Sequence, residues 1–126
     1  MGGASTDTAR AVILFGHGSR DPLWRRPMEA VAARLLASHP GWGVVCAYLE
    51  LQQPDLAAAA AQLVSSGATA VTIVPMFLGA GKHVREDLPT LVDTLRARYQ
   101  AVRFRLQAPV GEDPRVLDLL AAIATE

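Results

Sequence analysis

Three side chains, His17, Glu50 and His83, each stand just past an apolar run that reads as a strand. Two neutral imidazoles and a carboxylate suit a borderline divalent ion such as iron, cobalt or nickel, and they leave coordination positions open for a second reactant. Imidazole is also a base near neutral pH, with an unperturbed pKa of about 6.5. The competing possibility is that polar residues at strand ends only cap and hydrogen-bond. Residue type alone leaves both standing.

The elements that must position these groups follow from periodicity. Ala11-Val-Ile-Leu-Phe15 is an unbroken apolar run, the pattern of a strand buried on both faces of a parallel sheet. Gly16 and Gly18 bracket His17 and supply backbone freedom and close approach, which would let a flat ligand reach the backbone. A helix is predicted over 22–38 from Leu23, Ala30, Val31, Leu35 and Leu36, stopping at His39-Pro-Gly41. Pro27 belongs in or near its first turn, so the regular helix starts nearer Trp24 than Asp21. His39 is expected to sit exposed at the far end of this helix.

A second strand over 43–49 leads into Glu50 and the turn Gln52-Gln-Pro54, and an alanine-rich helix over 55–66 closes at Gly67. The third strand covers 70–77, with Pro75 near its end, and a glycine-rich loop over 78–83 carries His83. Asp87-Leu-Pro89 reads as a helix start, with Asp87 as cap and Pro89 just inside, and Leu91, Val92, Leu95 and Tyr99 form the buried stripe. In the fourth strand, 101–108, apolar positions alternate with Arg103, Arg105 and Gln107, which predicts an edge or half-exposed strand. Pro114 opens the closing helix.

Strand and helix alternating four times predicts an α/β fold, a four-stranded parallel sheet with helices on both faces and strand order 2-1-3-4. Its switch point falls between strands one and three. His17 and His83 are therefore expected to face each other across that crevice.

Composition narrows the function classes. The 126 residues suit one domain, over 11–126, preceded by a disordered tail over 1–10. Hydrophobic residues make up 51% of the chain, yet no run approaches the ~20 apolar residues of a membrane span. Twelve basic and twelve acidic residues cancel, so the footprint of a nucleic-acid binder is missing and any anion site must be local. Cys46 is the only cysteine and is expected to be a buried small hydrophobe; with an opening segment that lacks the apolar core of a signal peptide, this predicts a cytoplasmic protein.

Several nucleotide and hydrolase motifs come near and fail. Gly16-His-Gly18 begins a dinucleotide fingerprint, but Asp21 stands at its third glycine position. Gly81-Lys82 ends a P-loop pattern, but its first glycine position is Met76 and His83 follows the lysine. No Gly-x-Ser-x-Gly occurs, and the residue before His17 is Gly16 where a phosphohistidine enzyme would want arginine.

Longer stretches carry more information. Gly16-His-Gly-Ser-Arg-Asp21, Leu49-Glu-Leu-Gln-Gln-Pro54, Val74-Pro-Met-Phe-Leu78, Gly81-Lys-His-Val-Arg-Glu-Asp-Leu-Pro89 and Pro109-Val-Gly-Glu-Asp-Pro114 together resemble the class II chelatases that act on sirohydrochlorin in cobalamin and siroheme biosynthesis. The resemblance covers nearly the whole chain after the first ten residues. It implies the short form of that family, equivalent to one half of the longer bilobal enzymes, pairing as a homodimer. It implies that His17 and His83 are metal-binding, catalytic histidines and Glu50 an acidic residue of the site; Gln53 stands where the family often has a second acidic residue.

The implied substrate carries eight carboxylates, for which Ser19, Arg20, Lys82 and Arg85 are the candidate partners, with Arg25 and Arg26 close by on the first helix. Trp24 is a candidate cover for the ring. No permanently bound cofactor is implied. The metal, with cobalt favoured over iron and nickel, would be a substrate. A tetrapyrrole or metal carrier of the same fold, without insertion activity, is the alternative, and a phosphate-ester hydrolase a more distant one.

Overall fold

The strand β1 (Arg10–Gly16) is apolar from its second residue on, and from Ala11 to Gly16 every side is covered. Such a strand is stable only between two others, and it pairs in parallel with β2 (Gly43–Tyr48) on one side and β3 (Ala70–Pro75) on the other. The short β4 (Arg103–Leu106) pairs with β3 and completes a sheet of order β2-β1-β3-β4, as the alternation of elements predicts. The computed structural model describes residues 9–126. Most of the expected tail lies outside them, but Arg10 belongs to β1, and the Ala9 carbonyl accepts the Thr69 N–H at 2.8 Å.

Side chains alternate between two layers. Ala11, Ile13, Phe15, Val71, Ile73 and Phe104 face α2 (Leu56–Ser65) and α3 (Lys82–Arg98), which bury Ala59, Ala60, Leu63, Leu88, Val92 and Leu95 against them. Val12, Leu14 and Tyr48 point to the opposite face, where α1 (Arg26–Ser38) contributes Met28, Ala32 and Leu35. Each aliphatic side chain fully buried in these layers is worth about 1.5–3 kcal/mol. Among the described residues, no helix is long and apolar enough to cross a membrane.

Three local expectations change. The first helix is split: Asp21 caps a 3-10 turn, Pro22–Arg25, by accepting the Leu23 N–H at 2.9 Å, and the α-helix begins only at Arg26. The third helix starts at Lys82, five residues before the expected cap. Gly81 takes an extended conformation and serves as its N-cap, so Pro89 lies inside the helix and Asp87 in its second turn. The helix runs through the proline because Leu88, Val92 and Leu95 bury one face of it on both sides of that position. β2, β3 and β4 are each shorter than their apolar runs. At Pro75 the missing N–H faces the β4 side, beyond the last β3–β4 pair, Ile73 with Leu106, so no ladder bond is lost.

The closing helix begins at Pro114, as expected. α4 (Pro114–Ala124) starts well, with Asp113 accepting the Arg115 N–H and pairing with its guanidinium, which holds the Asp113 carboxyl down to about 2. Yet none of its residues is buried, and Leu117, Leu119, Leu120 and Ile123 are all exposed. His39, by contrast, is occupied: its ring stacks on Trp42 at 3.9 Å.

Candidate active site

The carboxyl ends of β1 and β2 are joined by backbone. The Leu49 N–H donates to the Gly16 carbonyl (2.9 Å) and the Glu50 N–H to the His17 carbonyl (3.1 Å), so the residues after the two strands run side by side. This brings His17 Nε2 to 3.1 Å from Glu50 Oε1, with both side chains 55% exposed. An open imidazole–carboxylate pair of this kind orients the ring and offers nitrogen and oxygen donors to one incoming cation.

The glycines around His17 serve the protein itself. Gly18 has φ +102°, and a Cβ on it would land on the Glu50 carbonyl oxygen. At Gly16 the same atom would meet the Met28 sulfur and the Trp24 ring. Close packing on Glu50, Met28 and Trp24 therefore accounts for both, without any approach by a ligand. Trp24 is committed in the same way, tilted against Tyr48 with ring centroids 6.1 Å apart.

His83 is exposed on the first turn of α3 rather than in a loop. It borders a cavity of about 80 Å³ with Phe15, Leu49, Val84, Asp87, Leu88 and Leu91. Phe15 and Leu49 are close chain neighbours of His17 and Glu50, so all three candidates lie at the carboxyl edge of the sheet. They are not gathered into one cluster: among the described residues, no group of three or more His, Cys, Asp or Glu side chains is close enough to hold a metal ion. Asp87 shares the cavity with His83. His83-x-x-x-Asp87 is an i, i+4 pair on one helix face, a signal that the sequence carries once the helix begins at Lys82.

The basic residues divide. Arg20 is exposed on the loop that carries His17, and Lys82 is exposed at the start of α3 beside His83. Arg85 points elsewhere: its guanidinium donates to the Ala80 carbonyl at 3.2 Å and borders a separate cleft with Pro109 and Glu112. Ser19 is used internally, its hydroxyl accepting the Asp21 N–H at 3.1 Å. Away from the site, burial, with Glu29 adding to it, pushes the half-buried Cys46 thiol above its usual range, so it is a protonated packing group at neutral pH.

Residues 11–126 match the family model described as CbiX. The chain belongs to the CbiX family. A CbiX protein from Marinobacter aquaeolei has the same fold, with a TM-score of 0.78 and 32% identity over 92% of this chain and 94% of its own. A sirohydrochlorin cobaltochelatase of Methanococcoides burtonii is 31% identical over 64% of this chain and 62% of its own length. The sirohydrochlorin chelatase SirB from Bacillus subtilis subspecies spizizenii, solved in complex with cobalt, aligns with a TM-score of 0.74 and 27% identity. There the match covers 90% of this chain and 48% of the other, so this CbiX chain spans about half of that relative.

Proposed function

We propose that this CbiX protein is a sirohydrochlorin chelatase, a lyase-type enzyme that inserts a divalent metal into the tetrapyrrole, with cobalt as the favoured ion. The observation that carries the proposal is the exposed His17–Glu50 pair, fixed by backbone bonds at the carboxyl edge of a sheet whose relatives are named for this reaction. The cobalt complex of the Bacillus chelatase and the name of the Methanococcoides relative support the choice of metal.

Insertion exchanges two pyrrole N–H protons for one divalent cation. The site must therefore hold the ion loosely, strip water from it and accept two protons. His17 and Glu50 supply a two-donor perch, and a perch of so few ligands suits an ion that is a substrate and must leave. His83, across the end of β1, is the second imidazole: it takes a pyrrole proton or completes the ion's transfer. Arg20 and Lys82 are the carboxylate partners at the mouth, with Ser19 supporting the first loop from within.

A homodimer is part of this proposal. The bare apolar stripe of α4, with Leu117, Leu120 and Ile123, and the roughly doubled length of the Bacillus relative, of which this chain covers 48%, both support a second copy of this chain as its cover. The single cysteine supports a cytoplasmic setting.

The test is to mix purified protein with sirohydrochlorin and Co²⁺, Fe²⁺ or Ni²⁺ and follow the absorption change. Insertion faster than in buffer, fastest with cobalt, is expected. Tight binding of the tetrapyrrole with no acceleration would replace the enzyme by a carrier. Leu120→Glu should shift the dimer to monomer in sedimentation; an unchanged sedimentation coefficient would remove α4 from the interface.

A further inference from the structure

The connections after β1, β2 and β3 each expose a leucine at the carboxyl edge: Leu23 after β1, Leu49 and Leu51 after β2, and Leu78 after β3. Leu51 differs from the others in its backbone. Its φ of 67° makes it the one non-glycine residue in the left-handed region among those described. That region is disfavoured for a bulky L-residue, whereas glycine or asparagine enters it at little cost.

The cause lies on either side. The Leu49 and Glu50 N–H groups are tied to Gly16 and His17, and the Tyr48 N–H donates to the Pro54 carbonyl at 2.9 Å. The chain must reverse between these anchors, and Leu51 absorbs the reversal directly after Glu50. The side chain gives the core nothing in return, being 54% exposed and outside both core clusters. Folding alone would be better served by glycine at this position. A strained backbone that carries an apolar side chain into solvent beside the His17–Glu50 pair is explained by a contact made outside the chain.

We propose that Leu51 is a binding residue for the macrocycle, laying its isobutyl group on the ring face so that the pyrrole nitrogens stay over the His17–Glu50 pair. This rests on the sirohydrochlorin assignment above. A conjugated tetrapyrrole is apolar on its two faces and carries its carboxylates at the rim. Leu51 takes the face, and Arg20 and Lys82, exposed nearby, take the rim.

The experiment compares wild type with L51G, L51N and L51M, titrating each with metal-free sirohydrochlorin and measuring its urea midpoint. L51G and L51N keep or raise the midpoint, because both residues accept the left-handed backbone. Both bind the macrocycle about fivefold more weakly, the loss expected for half-burying a leucine side chain. L51M conserves volume and apolarity and binds within about twofold of wild type. An unchanged Kd in L51G overturns the proposal. So does a lowered midpoint in both L51G and L51N, which would make Leu51 a packing residue. Wild-type binding without insertion overturns the chelatase assignment alone, while the Leu51 comparison is still decided on binding. Failure of wild type to bind sirohydrochlorin overturns both.

Discussion

Two glycine-bearing loops leave the carboxyl edge of the sheet, each delivering one histidine, and they are built on opposite principles. The loop after β1 is locked: Gly18 lies against the Glu50 carbonyl, and Leu49 and Glu50 are bonded to Gly16 and His17. The loop after β3 is open: a Cβ on Gly79 or Gly81 would meet nothing within 4 Å. Identical residue types thus serve different ends. On the first side glycine is a steric requirement that holds an imidazole beside a carboxylate; on the second it leaves room between β3 and the helix that carries His83. An insertion site needs one fixed jaw to place the ion and one looser one to admit a ring.

The sharpest way to break this contrast is Gly18→Ala. A side chain there meets a backbone carbonyl at a positive φ, so the variant is expected to lose more than about 3 kcal/mol of stability, read from the urea midpoint, together with activity. A midpoint near wild type would show that the first loop is not locked. Next in size, His17→Ala and His83→Ala should each cut insertion turnover by about 10²–10⁴-fold while the circular dichroism spectrum is retained. Unchanged turnover in either one removes that residue from the reaction. Glu50→Gln keeps the backbone contacts and loses only the charge, so a smaller drop of about tenfold is expected, with metal affinity falling in parallel. The smallest effect belongs to the open loop: Gly79→Ala should be neutral or stabilising by about 0.4–1 kcal/mol. A marked loss there would mean that the second loop is as constrained as the first.

Much of this arrangement was legible in the amino-acid sequence. Alternating strands and helices determine a parallel sheet, and the apolar run before His17 marks a central strand; together they yield the strand order and put His17, Glu50 and His83 at one edge. What escaped detection depends on contacts between distant residues. Pro89 fits a helix start as well as an interior position, and only the burial of Leu88 and Val92 on one face shows which applies. A helix start at Asp87 makes His83 a loop residue and Asp87 a cap, whereas the observed start at Lys82 puts both on the helix. The role of Gly18 could not be read because the group it accommodates, the Glu50 carbonyl, is more than thirty positions away. Arg85 is close to His83 in the sequence, but two helical positions, about 200° of rotation, place it on the other side of α3. That Leu117, Leu119, Leu120 and Ile123 of α4 stay exposed among the described residues is likewise set by contacts between elements and not by local sequence.

Gly111 sits in the short 3-10 turn Val110–Glu112 ahead of α4; its N–H donates to the Phe77 carbonyl at 2.9 Å, and a Cβ on it would overlap the Leu78 backbone. The turn is thereby wedged beneath the first residues of the loop that leads to His83. A mutational tolerance map scored on activity would consequently flag Gly111 alongside the histidines. Its intolerance would record a mechanical duty, keeping a distant loop in place, at a position that has no functional group at all.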